Sequence, residues 1–153
     1  SEHMIQTAML AEKAKCSDEL ICSSLLHDYG HFILENPDDL VKLNVDGQHE
    51  NIGYEYLKSF FKKEILEPIK NHVLAKRYLA NDKKYFDLLS EASKTSLKLQ
   101  GGALNPEECN KFEAQEYFKP SILLRKFDEA AKRTDLKMKS IHDYKKLLTY
   151  KLI

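Results

Sequence analysis

The sequence predicts an all-α protein folded as one domain. Apolar residues recur at intervals of three and four along nearly the whole chain, which is the spacing of one helix face. No stretch shows the alternation of apolar and polar residues that is typical of a strand. The 153 residues suffice for one sizeable core, and no repeat or linker divides them. We therefore expect a single domain over residues 1–153.

Periodicity and capping residues place the individual elements. They predict helices over residues 3–14, 17–29, 49–63, 68–79, 83–89, 120–133 and 142–152. The second is capped by Ser17 or Asp18 and is ended or bent by Gly30. A further helix starts at Asn105, a good cap, with Pro106 in its first position. Residues 100–102, "QGG", form a turn, and residues 36–47 form a loop or a short helix.

Composition narrows the function classes. Lys and Arg together number 24, as do Asp and Glu, so the chain lacks the basic excess typical of nucleic-acid binders. No apolar run approaches the roughly 18 residues of a membrane span, and no signal peptide is visible. The cysteines Cys16, Cys22 and Cys109 are odd in number and lack metal-site spacing. We expect reduced thiols in a cytoplasmic protein that binds neither nucleic acid nor membrane.

The stretch "SSLLHDYGHFIL", residues 23–34, places an aspartate and two histidines within an apolar run. Burying such groups without partners is costly, so they require a ligand. Histidine and aspartate recur at other helical positions, and the candidate set is His3, His27, Asp28, His49, His72 and Asp128. Imidazole with carboxylate suits Zn, Mn or Fe. Four imidazoles and two carboxylates exceed one ordinary zinc site and suit two metals that share a carboxylate.

Adjacent His27 and Asp28 are informative for this count. Neighbours on a helix point about 100° apart. The pair can therefore serve two metals, or one metal with Asp28 as a bridge to the second.

The order H…HD…H…H…D on successive helices resembles the HD-domain superfamily of metal-dependent phosphohydrolases and oxygenases. The stretches "LLHDYGH", "NHVLAKRYL", "SEASKTSLKLQGG" and "LLRKFDEAAK" are similar to the PhnZ-type HD-domain oxygenases. These are mixed-valent di-iron enzymes that cleave the carbon–phosphorus bond of 2-amino-1-hydroxyethylphosphonate. The resemblance runs from Ser1 to about Leu148 and implies a single HD-domain helical bundle with a dinuclear metal site in its core.

The resemblance also implies a role for each candidate. One iron ion would be held by His3, His27, Asp28 and Asp128, and Asp28 would bridge to a second iron held by His49 and His72. The substrate-contacting positions would be His31, Lys76, Ser93, Ser96 and Arg125, with His31, Lys76 and Arg125 in catalytic roles.

Spacing supports the cationic part of this set independently. Lys76 lies four residues after His72, Arg125 three before Asp128, and residues so spaced share a helix face. Arg and Lys give charge-assisted hydrogen bonds to the oxygens of phosphonates and phosphates. Lys132, four residues after Asp128, is expected to support that carboxylate.

The resemblance implies O2-dependent cleavage of a 1-hydroxyphosphonate to glycine and phosphate by a monomer or homodimer with two iron ions. Its partners would be a small anionic phosphonate and O2. The alternative is a metal-dependent HD phosphohydrolase acting on a phosphate ester or nucleotide, because the same six ligands would serve. A sensor domain with a degenerate site is disfavoured, since no ligand is lost. Family members carry a gating segment before the first ligand, and that segment would precede Ser1.

Overall fold

The computed structural model describes residues 1–34, 48–133 and 136–153, and every regular element within these ranges is a helix. The all-α prediction is confirmed. In chain order the helices are α1 (Glu2–Lys13), α2 (Asp18–Leu26), α3 (Tyr29–Leu34), α4 (His49–Leu57), α5 (Lys63–Leu79), α6 (Lys83–Leu88), α7 (Glu91–Leu99), α8 (Pro106–Glu113), α9 (Phe118–Ala131) and α10 (Ile141–Lys151). The predicted loop or short helix at 36–47 lies outside the described residues.

The predicted caps are observed. Ser17 Oγ accepts a hydrogen bond from the Leu20 amide at 3.2 Å and starts α2. Asn105 and Glu108 cap each other's backbone amides at the start of α8, with Pro106 in the first turn. After α7, Gly101 and Gly102 adopt φ values of +107° and +73°, which glycine tolerates best. The turn at residues 100–102 is therefore confirmed.

Two predicted boundaries were wrong around the first His–Asp pair. The second helix ends at Leu26 rather than Tyr29, and His27 and Asp28 occupy a turn before α3. Gly30 lies inside α3, so it does not end a helix. The His27 ring donates to the Ser24 carbonyl, the group that a continued helix would pair with the Asp28 amide. A side-chain contact thus competes with the backbone ladder at this point.

The predicted start of the fourth helix was also wrong. The helix predicted over residues 49–63 is α4, which ends at Leu57. Helix α5 begins at Lys63, so Pro68 lies inside it rather than at its start. Proline removes one backbone hydrogen bond there. The residues before it, Ile65 and Leu66, are buried in an apolar cluster, and this burial offsets the loss. Sequence reasoning assigned no helix to α7, which Ser90 caps through the Ser93 amide.

Helices α1, α2, α5 and α9 form the centre of the bundle. Helix α1 packs against α2 and α9, and α5 packs against α2, α4 and α9. Apolar clusters join these helices to their neighbours, for example Cys22, Leu57 and Ile69 in one cluster and Ala75 with Phe112 in another. Polar and charged side chains are buried in the bundle as well. Among the described residues, no helix has the length and apolar character needed to cross a bilayer.

The backbones of α3 and α4 touch at Gly30 and Gly53. A Cβ atom at Gly30 would lie 1.9 Å from the His49 carbonyl oxygen, whereas at Gly53 the nearest atom would be 3.3 Å away. The close approach at Gly30 therefore sets the distance between Asp28, just before α3, and His49, the first residue of α4.

We expect Gly30→Ala to lower the free energy of unfolding by about 3 kcal/mol, because backbone atoms must move apart. Gly53→Ala is the matched control and should change it by less than about 1 kcal/mol, since the better helix propensity of alanine offsets a small clash. Chemical denaturation measures both. Equal effects of the two substitutions would contradict this account of the α3–α4 contact.

Candidate active site

The structure brings all six predicted metal ligands together. They come from different helices or the turns beside them, namely His3 on α1, His27 and Asp28 after α2, His49 on α4, His72 on α5 and Asp128 on α9. Their donor atoms form two groups that could each hold a metal ion: His3 with His27 and Asp28, and Asp28 with His49 and His72. In each group the donor atoms lie within 4.8 Å of one another. Asp28 belongs to both.

The two carboxylate oxygens of Asp28 point to different groups. Its Oδ2 lies 3.3 Å from His27 Nε2, while its Oδ1 lies 3.4 Å from His49 Nε2 and 3.7 Å from His72 Nε2. The Nε2 atoms of His49 and His72 are 2.9 Å apart. One carboxylate oxygen per group is the arrangement that a bridging ligand requires.

Asp128 completes the first group. Its Oδ1 lies 2.8 Å from His3 Nε2 and 3.6 Å from His27 Nε2. The side chains of Asp128 and His27 are almost completely buried. With Asp128 added, the first group would offer two carboxylates and two imidazoles, and the second offers two imidazoles and the shared carboxylate.

Backbone carbonyls orient two of the imidazoles. His27 Nδ1 donates to the Ser24 carbonyl at 2.7 Å, and His72 Nδ1 donates to the Ile69 carbonyl at 2.6 Å. When the ring is neutral, this contact keeps the proton on Nδ1 and leaves the lone pair on Nε2 for a metal. The Nε2 of His27 is buried and makes no hydrogen bond within the described part of the chain. A cation between this atom and the nearby carboxylates would satisfy it, so the residues present fit a metal ion.

The electrostatics of the two groups differ. Burial disfavours the charged form of His27, but the charges of Asp28 and Asp128 outweigh it and raise its pKa to about 10. Burial and then the neighbouring His49 and His27 lower the pKa of His72 to about 3. His72 is therefore neutral and ready to bind a metal. Metal binding at the first group would displace a proton from His27.

A cavity of about 320 Å³ opens onto these groups. Five of the six candidate ligands line it, all but His27, and so do all five predicted substrate-contacting residues, which are His31, Lys76, Ser93, Ser96 and Arg125. Lys76 is buried, and its Nζ donates to Ser96 Oγ at 2.8 Å. The ring of His31 stacks on that of His49 with centroids 4.0 Å apart.

Arg125 makes hydrogen bonds to three side chains of the protein, two of which the sequence did not predict. Its Nε donates to Tyr85 Oη at 2.9 Å, and its two terminal nitrogens donate to Asp128 and Glu129. The guanidinium is therefore held in place between the first metal group and the cavity.

Sequence reasoning missed two of these partners. Glu129 follows Asp128 and lies four residues after Arg125, and that spacing is a signal that would have found it. Tyr85 is 40 residues away from Arg125 in sequence, and no local pattern indicates the contact.

Glu50, next to His49, places its carboxylate 3.5 Å from His49 Nδ1.

Comparison with known proteins identifies the family. The family model of the HD domain matches residues 1–129. The hydroxymethylphosphonate dioxygenase of Gimesia maris is 41% identical over 145 residues, covering 94% of this chain and 72% of that protein. The [1-hydroxy-2-(trimethylamino)ethyl]phosphonate dioxygenase (glycine-betaine-forming) of Leisingera caerulea is 44% identical over 137 residues, covering 89% and 70%.

The chain belongs to the PhnZ-type HD-domain oxygenases. An uncharacterized protein of Acanthamoeba polyphaga mimivirus is also similar to this oxygenase, at 37% identity over 151 residues, which cover 96% of this chain and 68% of that one. The chain thus covers about 70% of the length of each of these relatives. Family membership and the two donor groups together make this oxygenase a metal-dependent enzyme.

We expect Asp28→Ala to remove both metal ions from this oxygenase, because each group loses its shared carboxylate. Inductively coupled plasma mass spectrometry of the purified, metal-reconstituted protein measures the content. Asp87→Ala is the control, since Asp87 is exposed, pairs with Lys83 and does not line the cavity. A full metal complement in a folded Asp28→Ala protein would rule out the bridge.

Proposed function

We propose that this oxygenase cleaves the carbon–phosphorus bond of a 1-hydroxyphosphonate such as 2-amino-1-hydroxyethylphosphonate, with O2 as the oxidant, yielding glycine and phosphate. One O2 per substrate balances the reaction, because glycine and phosphate together contain two more oxygen atoms than the substrate. The observation that most supports this function is the cavity in which Lys76 and Arg125 face the two donor groups that share Asp28. The two relatives named for hydroxyphosphonates favour it over the phosphohydrolase alternative.

We propose that the two metal ions are iron. His49, His72 and Asp28 form a set of two histidines and one carboxylate, which is typical of non-haem iron oxygenases with open coordination positions. His3, His27 and Asp128 would hold the other ion together with Asp28. Iron would supply the redox chemistry with O2 that no side chain of this protein can perform.

The protein's own side chains would bind and orient the substrate. The ammonium of Lys76 and the guanidinium of Arg125 supply charge-assisted hydrogen bonds for the phosphonate oxygens, and Ser93 and Ser96 lie beside them. A phosphonate bound in this way would direct its neighbouring carbon, with the hydroxyl, toward the donor groups that share Asp28. Positioning of this kind accounts for a large part of catalysis in enzymes whose cofactor performs the chemistry.

His31 would lie at the hydroxyl end of such a substrate. Its Nε2 is 3.8 Å from Asp28 Oδ1. Burial, followed by the neighbouring His49, lowers the pKa of His31, so the ring is neutral near pH 7. We propose that this neutral imidazole accepts the proton of the substrate hydroxyl.

The test is phosphate release from 2-amino-1-hydroxyethylphosphonate by iron-reconstituted protein, with and without O2, using a chain that includes any native upstream segment. We expect one phosphate and one glycine per O2 consumed, and no release without O2. Hydrolysis of a phosphate ester that needs no O2, with the hydroxyphosphonate left intact, would establish the phosphohydrolase instead. If only hydroxymethylphosphonate or [1-hydroxy-2-(trimethylamino)ethyl]phosphonate is turned over, the proposed reaction type stands and the proposed substrate is wrong.

The pKa of Lys76 predicts how kcat/KM changes at alkaline pH. Burial, and then the charges of Arg125 and Lys132, lower its pKa to about 8. Below that pH the ammonium is charged and binds the phosphonate, whereas above it the neutral amine does not. We expect kcat/KM to fall about tenfold per pH unit above pH 8.

Lys98→Met, at a lysine on α7 that does not line the cavity, should leave this profile unchanged. Lys76→Met should lower kcat/KM at neutral pH and remove the dependence. A wild-type profile that stays flat well above pH 8 would contradict the role of Lys76.

A further inference from the structure

A third positively charged side chain, Lys132, lines the cavity, and its contacts differ from those predicted from the sequence. Lys132 was expected to support Asp128, but its Nζ instead donates to Ser93 Oγ at 2.6 Å and to Glu129 Oε2 at 3.3 Å. Lys132 also lines the cavity beside the donor groups. Its side chain is about one-third exposed, so it is accessible from the cavity side.

Lys132 and Lys76 each donate a hydrogen bond to a serine of α7. Ser93 and Ser96 lie three residues apart on α7 and therefore share one face of that helix. Ser96 accepts a hydrogen bond from Lys76 of α5, and Ser93 accepts one from Lys132 at the end of α9. Two lysine–serine pairs from different helices thus meet at the wall of one cavity.

We propose that Lys132 is a third cationic substrate-binding residue and that, with Lys76 and Arg125, it makes the cavity selective for a tetrahedral dianion. This inference rests on the proposed function and narrows its substrate class. Three cations can face the three terminal oxygens of a phosphonate group, which carries two negative charges when fully ionised. A carboxylate or a sulfonate carries only one.

The contacts of Lys132 leave it able to bind an anion. An ammonium group has three N–H donors, and the contacts to Ser93 and Glu129 account for two of them. The Glu129 carboxylate is itself shared, because it also accepts from Arg125, from the Ser93 hydroxyl and from the Ser90 amide. Glu129 therefore orients Lys132 and Arg125 together without neutralising both.

The charge on neighbouring residues supports the same conclusion. Burial lowers the pKa of Lys76, and the charges of Arg125 and Lys132 lower it further, while Asp128 and Glu129 offset part of this effect. Arg125 and Lys132 are therefore close enough to Lys76 for their charges to act on it. A bound dianion offsets these positive charges more than a monoanion does. The geometry of the two lysine–serine pairs carries the proposal, and the charge on Lys76 is consistent with it.

The test compares two unreactive ligands of the same tetrahedral shape, methylphosphonate and methanesulfonate, by calorimetric titration of the metal-loaded protein. The pH is set just below 8, where Lys76 keeps its charge and much of the methylphosphonate is dianionic. We expect the wild type to prefer methylphosphonate. Lys132→Met should weaken methylphosphonate binding about tenfold and methanesulfonate binding less, so that the preference shrinks. Lys132→Arg should restore part of the preference, since it retains the charge.

Lys126→Met is the matched control, because Lys126 lies on the same helix but is exposed and does not line the cavity. It should leave both affinities unchanged. An unchanged preference in Lys132→Met, an equal loss in Lys126→Met, or no methylphosphonate binding by the wild type would overturn the inference. Lys132-dependent binding of methylphosphonate without turnover of any hydroxyphosphonate would retain the inference and refute the proposed function.

Discussion

The burial of ionisable groups in the centre of the bundle is the constraint on which the rest of this structure depends. His27, His72 and Asp128 are each at most 3% exposed, and Asp28 and His49 lie against them. Taking such groups out of water costs several kcal/mol each unless they are paired. The carboxylates and imidazoles contact one another, and backbone carbonyls fix two of the rings. Two cations shared through Asp28 would compensate the remaining negative charge.

This constraint explains features of the helices that apolar packing alone does not. Helix α2 stops at Leu26, so that the adjacent His27 and Asp28 reach different partners. The absence of a side chain at Gly30 allows α3 to approach the first turn of α4 and thus His49. Helix α9 carries Asp128 toward the metal groups and Arg125 toward the cavity. The proposed metal and anion sites therefore share one helix, which fixes Asp128 and Arg125 relative to each other and favours precise positioning of the substrate.

The sequence predicted the helical class and the caps at Ser17 and Asn105, because these depend on local periodicity and capping chemistry. The residues that meet at the centre were predicted from their residue types and from the family resemblance. The sequence did not predict features that depend on tertiary contacts. The start of α5 at Lys63 reflects burial of Ile65, which outweighs the usual position of proline. Helix α7 was missed although it is amphipathic and Ser90 caps its first turn. The contact of Lys132 with Ser93 spans 39 residues, so spacing along one helix suggested the wrong partner.

The most direct test of the central claim is electron paramagnetic resonance spectroscopy of the iron-loaded protein, poised so that one ion is ferrous and the other ferric. Two irons joined through Asp28 should show the signal of an exchange-coupled pair, and the same preparation should contain two irons per chain. Signals of isolated ferric ions alone at that iron content would show that the two groups do not share a bridge, and would contradict the account.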